Sequence, residues 1–197
     1  MDAIVGILLA AGSSSRFGAD KLTQALPEGG LVAVQACRNL LAGTDSVLAV
    51  VRPGSEKLAD LLQAEGAEVR ICSGAQQGMS ASLAFGISSY PKAAGWLIAL
   101  ADMPCIAPAT IHRVADALRL GATIAAPCKQ GRRGHPVGFA QILGSELTAL
   151  SGDQGAKGVI QRHREQLFLI ECDDSGILQD IDKPEDLITL KEFTKHP

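Results

Sequence analysis

Apolar runs alternate with segments of helical spacing along most of the chain. The first run, IVGILLA, contains no polar side chain, as is typical of a strand buried on both faces of a parallel sheet. The pattern predicts strands over residues 3–10, 46–51, 67–72, 95–104, 122–127, 135–140 and 167–172. It predicts helices over residues 31–41, 55–66, 78–89, 107–121 and 142–150, over a segment from after 155 to about 163, and from 184 onward.

This alternation predicts the α/β class, with a mostly parallel sheet covered by helices on both faces. Ligands of such sheets bind at the carboxyl ends of the strands, near a reversal of strand order. The loops that follow Ala10, Cys72 and Leu100 are therefore the candidate ligand-binding loops.

Composition narrows the class of protein. The chain has 197 residues, enough for one domain, and its 47% apolar and 4% aromatic content predicts an aliphatic core. A formal net charge of −3 without a long Lys/Arg run argues against a general nucleic-acid binder. Five cysteines without a CxxC pair argue against a disulfide framework or a zinc knuckle. The apolar N-terminal run lacks a basic flank and is too short to span a membrane, so we expect a cytoplasmic protein with no membrane partner.

The loop after the first strand, in LLAAGSSSRFGADK, has the composition of a polyphosphate site. Five residues separate Gly12 from Gly18, which excludes a Walker A loop, and there is no GxGxxG. The glycines permit close backbone approach, Arg16 offers a planar fork to phosphate oxygens, and Lys21 offers a compact charge. The alternative is a surface loop with solvated cations, but the position after a buried strand favours a ligand site.

Two carboxylate positions are candidate metal ligands. Asp102 follows the apolar run of the fourth strand, where a carboxylate is costly unless it is paired or binds a metal. The alternative is a turn or cap residue before Pro104. Asp180 and Asp182 are candidates for a second carboxylate, with Asp182 preferred. Asp182 is equally suited to cap a helix that begins at Pro184.

The opening loop resembles the signature LA(A/G)Gx(S/G)xRxGxxK of the MobA-like NTP transferase domain, a family that includes the molybdenum cofactor guanylyl- and cytidylyltransferases. Ala11 resembles the cytidylyl branch, because guanylyl members tend to carry LAGG. The chain departs from the family pattern after Lys21, where LTQALPEGGL is only partly recognisable, and at Lys183, which replaces a usual Thr. Other segments that resemble the family are GMSASLAFG, ALADMP, RGHPVGF, GDQGAKGVI and DIDKPEDL.

The resemblance implies a single three-layer Rossmann-like domain of the nucleotidyltransferase (GT-A) type over residues 1–197. It implies Mg²⁺-dependent transfer of CMP from CTP to the terminal phosphate of molybdopterin cofactor, with pyrophosphate release. A molybdoenzyme or its maturation chaperone is a candidate partner. The alternatives are another acceptor, such as a sugar phosphate or methylerythritol phosphate, the use of GTP, and a non-catalytic protein that delivers cofactor to a molybdoenzyme.

The same resemblance assigns roles to individual residues. The implied catalytic residues are Arg16, Lys21 and Asp102, and the implied metal ligands are Asp102 and Asp182. The implied acceptor-binding residues are His135, Asp153 and Lys157. The implied nucleotide-binding residues are Leu9, Ala10, Ala11, Gly12, Ser13, Arg16, Lys21, Gly78, Ser80 and Ser82.

Overall fold

A mostly parallel sheet of eight strands, one more than the seven that the sequence pattern predicts, forms the centre of the protein. The computed structural model describes residues 3–12, 17 and 20–193. The sheet order is β3-β2-β1-β4-β7-β5-β6, with β8 on the free side of β5. The order reverses between β1 and β4, which is where α/β sheets bind ligands. The strands are β1 (Ile4–Ala10), β2 (Ser46–Val51), β3 (Glu68–Ile71), β4 (Gly95–Leu100), β5 (Ile124–Lys129), β6 (Arg132–Arg133), β7 (Val137–Ala140) and β8 (Leu167–Glu171).

Helices cover both faces of the sheet and complete the predicted three layers. Leu40, Leu62 and Val114 belong to the apolar cluster on one face, which α1, α2 and α4 cover. Leu83 and Leu147 belong to the cluster on the other face, beneath α3, α5 and α6. Within the described ranges, no helix is both long and apolar enough to cross a membrane. The helices are α1 (Val32–Gly43), α2 (Glu56–Ala64), α3 (Met79–Ser89), α4 (Pro108–Arg119), α5 (Gly144–Thr148), α6 (Lys157–Arg162) and α7 (Pro184–Phe193).

The sheet departs from the sequence prediction around β5. β7 runs antiparallel to both β4 and β5, because the chain returns from β5 through a hairpin and not through a helix. Gln130 and Gly131 form the turn of that hairpin with φ angles of 51° and 74°, and the short β6 follows it. The predicted fourth strand ends at Leu100, which leaves Asp102 in the turn beyond.

Helix α1 lies close against β1. A Cβ atom at Gly6 would lie 2.8 Å from the Leu40 side chain, so the glycine allows α1 to pack directly on the strand. β1 is buried along almost its whole length, with Leu8 fully inaccessible. The polar groups at the carboxyl end of β1 are therefore attached to a rigid, well-packed element.

Candidate functional site

A cleft of about 830 Å³ opens at the carboxyl ends of β1 to β4. It spans the point at which the strand order reverses, the expected ligand position in an open α/β sheet. Its lining combines glycines and apolar side chains with a few charged groups. The lining residues are Leu9, Ala11, Gly12, Lys21, Leu22, Arg52, Pro53, Ala75, Gln76, Gly78, Met79, Ser82, Leu100, Asp102, Asp153, Asp180 and Asp182.

Lys21 lies at the start of a single 3₁₀ turn, Lys21–Thr23. The Asp20 carboxylate accepts a hydrogen bond from the Leu22 N–H at 3.3 Å and caps this turn. Leu22 is buried in the apolar core, which anchors the turn against the sheet. The Lys21 ammonium is thereby held over the end of β1, where it contacts Asp102 and Asp182.

Three charged side chains meet in the cleft, and we call Lys21, Asp102 and Asp182 the Lys21 cluster. The Lys21 Nζ atom lies 2.7 Å from Asp102 Oδ2 and 3.1 Å from Asp182 Oδ1. The Ile181 N–H donates to the Asp102 carbonyl at 2.9 Å, which ties the segment carrying Asp182 to the end of β4. Asp102 and Asp182, which follow Lys21 by 81 and 161 positions in the sequence, thus contact one ammonium group.

The Lys21 cluster is partly withdrawn from water. The exposed fractions of its side chains are 12% for Lys21, 20% for Asp102 and 40% for Asp182. Burial alone lowers the pKa of Lys21, but the hydrogen bonds and charges of Asp102, and then of Asp182, outweigh it and raise the pKa. Lys21 is therefore a permanent cation at neutral pH.

Asp102 has one oxygen without a partner. Its Oδ2 accepts from Lys21, whereas its Oδ1 is buried and has no hydrogen-bond partner in the described residues. A buried carboxylate oxygen without a donor or a metal is costly. The unpartnered oxygen of Asp102 therefore suits a site that a bound cation would complete.

The side chain of Asp182 lines the cleft, where its Oδ1 atom contacts Lys21. Asp186, in the first turn of α7, accepts hydrogen bonds from the N–H groups of Asp182 and Lys183 at 2.8 and 2.7 Å. Asp186 thus satisfies the start of the helix in the manner of a capping box. Of the two interpretations left open by the sequence, this geometry favours the cleft-facing one.

The Lys21 cluster supplies only part of a metal site. The described ranges contain no group of three or more His, Cys, Asp or Glu side chains arranged to hold a metal ion. Two carboxylates suit Mg²⁺, which takes one or two protein carboxylates and fills its remaining positions with water and substrate phosphates. Asp102 and Asp182 would hold such an ion together with a triphosphate, and the unpartnered Oδ1 of Asp102 fits this arrangement.

The start of α3 and the segment after α5 form one wall of the cleft. Gly78 has a φ of +112°, and a Cβ atom there would lie 2.0 Å from Asp153 Oδ1 and 2.7 Å from the Gly152 carbonyl. The Ser80 N–H donates to the same carbonyl at 3.1 Å. Only glycine fits at residue 78, and it allows Asp153 to line the cleft.

The predicted nucleotide-binding residues take different positions around the cleft. Leu9, Ala11, Gly12, Lys21, Gly78 and Ser82 line it. Ala10 is buried beneath the lining, and Ser80 is fully buried with its Oγ lacking a described partner. Ser13 and Arg16 lie outside the described residues.

Of the three predicted acceptor-binding residues, Asp153 lines the cleft, whereas His135 and Lys157 are not among the lining residues. Asp153 lies beside Gly78, whereas Lys157 is exposed at the start of α6 and is not part of the cleft lining. His135 precedes β7, and its Nδ1 is buried without a described partner. Burial first, and then the charge of Arg133, lower the pKa of His135 to about 4, against the hydrogen bond to Ile98 and the charge of Asp180.

The cleft also contains a cation that the sequence interpretation missed. Arg52 and Pro53 follow β2, and Ala75 and Gln76 follow β3, and all four line the cleft. Their position directly after predicted strands was the available signal, because the carboxyl ends of parallel strands meet. Arg52 adds a second positive charge to a cleft that already holds Lys21.

Comparison with known proteins gives relatives of similar length. The purine catabolism protein PucB of Bacillus subtilis is 27% identical over 93% of each chain. The nicotine blue oxidoreductase of Paenarthrobacter nicotinovorans is 26% identical over 95% of this chain and 96% of its own.

Solved structures share the fold over nearly the whole chain. The crystal structure of Rv0371c from Mycobacterium tuberculosis superimposes with a TM-score of 0.83 at 26% identity, covering 97% of this chain and 98% of that one. Its manganese complex superimposes with a TM-score of 0.77 at 23% identity, covering 96% and 98%. These similarities show that the fold is shared over nearly the whole chain.

The family profile of the MobA-like NTP transferase domain matches residues 6–167. This range contains Lys21, Asp102 and Asp153 and all of the sheet except the first two residues of β1 and most of β8. The chain therefore belongs to the MobA-like NTP transferase domain family, whose chemistry is nucleotidyl transfer.

Proposed function

We propose that this protein transfers CMP from CTP to the terminal phosphate of molybdopterin cofactor and releases pyrophosphate. The observation that carries the proposal is the Lys21 cluster, which places one ammonium and two carboxylates in a cleft at the carboxyl ends of β1 and β4. Nucleotidyl transfer needs few reactive side chains, because positioning and charge neutralisation supply most of the catalysis.

In this reaction an oxygen of the acceptor phosphate attacks the α-phosphorus of CTP. The new P–O bond forms as the bond between the α-phosphorus and the bridging oxygen breaks, and pyrophosphate leaves with that oxygen. Lys21 and Arg16 would hold the triphosphate and offset the charge that builds on the leaving group. Arg52 would extend the same cationic surface along the cleft.

A divalent cation, which we assign as Mg²⁺, would be held by Asp102 and Asp182. When bound, it would neutralise charge on the α-phosphate and orient the attacking oxygen. The manganese complex of a protein with the same fold supports a divalent ion. The unpartnered Oδ1 of Asp102 supports the same assignment.

The choice of CTP rests on Ala11, which lines the cleft and resembles the cytidylyl branch. Gly78 and Ser82 form the opposite wall and would face the base or ribose. For the acceptor, we keep His135, Asp153 and Lys157 as the proposed contacts. The separation of Lys157 from the cleft makes it the weakest of the three.

One assay tests base and acceptor together. Purified protein is incubated with Mg²⁺, molybdopterin cofactor and each of the four NTPs, and the products are weighed by mass spectrometry. The expected result is a cofactor heavier by one CMP, formed with CTP alone. Formation of a GMP adduct would overturn the choice of base.

Parallel reactions separate the remaining functions. Sugar phosphates and methylerythritol phosphate replace the cofactor in one series, and a nucleotide adduct formed only there would reassign the acceptor. Tight binding of the cofactor without turnover of any NTP would support a delivery protein. Because one relative is named an oxidoreductase, oxidation of reduced nicotinamide nucleotide is followed as a further control, and we expect none.

A further inference from the structure

The same nitrogen atom pairs with both proposed metal ligands. Lys21 Nζ lies 2.7 Å from Asp102 Oδ2 and 3.1 Å from Asp182 Oδ1. Both contacts are short enough to be charge-assisted hydrogen bonds. The ammonium therefore lies between the two carboxylates that would hold a divalent cation.

The Lys21 ammonium, which is attached to the protein, competes strongly with a free metal ion for the Asp102 and Asp182 carboxylates. Lys21 is held on a capped turn anchored by the buried Leu22, so its ammonium is present at a high effective concentration beside the carboxylates. A metal ion that enters alone must displace this ammonium. The displaced Lys21, whose side chain is 12% exposed, would then lose both anionic partners within a partly buried site.

The ammonium does not satisfy the site completely. It leaves Asp102 Oδ1 buried and without a partner in the described residues, and Lys21 brings a single positive charge to the Asp102 and Asp182 carboxylates. A divalent cation matches two carboxylates in charge. The Lys21 ammonium is thus a weaker match for the two carboxylates than a divalent cation would be.

A triphosphate removes the competition, because its oxygens are alternative acceptors for Lys21. We propose that Lys21 is a placeholder cation, which holds Asp102 and Asp182 together until a nucleotide triphosphate draws it away and opens the pair to a divalent ion. Nucleotide and metal then bind with positive coupling, and each raises the affinity for the other by the same factor. The identity of the triphosphate rests on the proposed function, whereas the competition between Lys21 and the metal does not.

The test uses Mn²⁺ and the full-length protein without nucleotide, with free Mn²⁺ measured by electron paramagnetic resonance. We expect weak binding to the wild type and binding at least about tenfold tighter to Lys21→Met, within the usual range of coupling between two sites. Lys21→Gln, which keeps a polar side chain but removes the charge, is the second variant, and we expect it to gain affinity as well. Lys21→Arg retains the cation and should resemble the wild type.

Matched controls separate competition from a general charge effect. Arg52→Met removes one positive charge from the same cleft, and Arg52 has no described carboxylate partner, so its Mn²⁺ affinity should stay near that of the wild type. The double variant Lys21→Met with Asp102→Asn should lose the gain. The proposal is overturned if Lys21→Met and Lys21→Gln bind Mn²⁺ no more tightly than the wild type, or if Arg52→Met gains as much.

A measurement on the wild type does not depend on any variant folding. With ¹⁵N-labelled lysine, CTP added in the presence of EDTA should shift the Lys21 ammonium signal. Mg²⁺ added without CTP should not shift this signal, even at Mg²⁺ concentrations that saturate the site when CTP is present. Displacement of Lys21 by Mg²⁺ alone at those concentrations would overturn the placeholder role. If the variants gain Mn²⁺ affinity while no NTP is turned over with any acceptor, the placeholder role stands and the proposed function fails.

Discussion

The two ends of the sheet each contain a cluster of one cation and two carboxylates, but the clusters differ in how completely they are satisfied. At the amino end, Arg119 donates to Asp45 Oδ2 at 2.8 Å and to Asp116 Oδ1 at 3.0 Å, and we call these three residues the Arg119 cluster. Asp45 also accepts from the Ile4 N–H at 2.7 Å. The exposed fractions of the Arg119 cluster are 34%, 45% and 44%, so water reaches all three side chains.

At the carboxyl end, the Lys21 cluster is more buried and less complete. The described residues contain three buried side-chain polar atoms without a partner, Ser80 Oγ, Asp102 Oδ1 and His135 Nδ1. All three follow or face the carboxyl ends of strands, and none belongs to the Arg119 cluster. Unsatisfied buried groups reduce stability and are retained mainly where a ligand completes them. The comparison favours a structural role for the Arg119 cluster and supports the functional role proposed for the Lys21 cluster.

The largest effect that separates the two ends is expected from matched carboxylate changes. Asp102→Asn removes a charge from the Lys21 cluster and should lower kcat about 10²–10³-fold, because charge stabilisation of the transition state is lost. Asp116→Asn makes the same change in the Arg119 cluster and should leave kcat unchanged. Pyrophosphate release measured at saturating CTP and Mg²⁺ checks both variants. Equal losses would show that the ends do not differ in function.

Gly78 at the carboxyl end of the sheet and Gly121 at the amino end allow the cost of an added methyl group to be compared. Gly78 has a φ of +112° and Gly121 a φ of +99°, but only at Gly78 would an added Cβ atom have neighbours within 4 Å. Gly121→Ala should cost about 1 kcal/mol through backbone conformation alone. Gly78→Ala should cost about 2–4 kcal/mol because its methyl group also meets Gly152 and Asp153. Urea unfolding measures the difference, and similar costs would contradict the close packing of this wall.

Displacement of Asp153 gives the Gly78→Ala variant a second readout. Because the new methyl group would push Asp153, a proposed acceptor contact, out of the cleft wall, the KM for molybdopterin cofactor should rise in Gly78→Ala. In Gly121→Ala it should not change. An unchanged KM in both variants would show that this wall does not contact the acceptor.

The buried imidazole of His135 makes stability at the carboxyl end sensitive to acid. Its pKa is about 4 in the folded protein, while the unfolded value is about 6.5. Between these values the unfolded chain binds a proton that the folded protein does not, so stability falls as the pH is lowered from about 6.5 to 4. Relative to His135→Gln, the wild type should lose up to about 3 kcal/mol over this window. Parallel pH dependence of the two unfolding curves would refute the buried, neutral histidine.

Local pattern predicted the strands, the helices and the loops that carry the cleft, because those features depend on apolar periodicity and on the end of each strand. It also pointed to Lys21 and Asp102. It did not decide between cap and ligand for Asp182, since that choice depends on contacts with Lys21 and Asp186 that only the fold creates. The sequence pattern also gave Asp153 and His135 the same role. It did not show that Asp153 lies beside Gly78, because that contact forms only when the segment after α5 folds back onto the start of α3.

The smallest expected effect comes from the Arg119 cluster itself. Burial alone raises the pKa of Asp45, but the hydrogen bond from Ile4 and then that from Arg119 outweigh it and lower the pKa. Asp45→Asn should therefore cost only about 0.5–1 kcal/mol at neutral pH, since the cluster is solvent-screened.

The pH dependence of that small cost identifies its origin. A carboxyl group with a lowered pKa stabilises the folded protein above its unfolded pKa of about 3.9, and this stability is lost as the pH falls through the lower, folded value. The difference in unfolding free energy between wild type and Asp45→Asn should therefore persist at about pH 6 and disappear in acid. Asp116→Asn, whose carboxylate accepts from Arg119 and pairs with His112 Nδ1 at 2.9 Å but accepts from no described backbone N–H, should cost less than Asp45→Asn at neutral pH. A cost for Asp45→Asn that is independent of pH would attribute its effect to packing at the amino end, and would remove the electrostatic basis for comparing the two clusters.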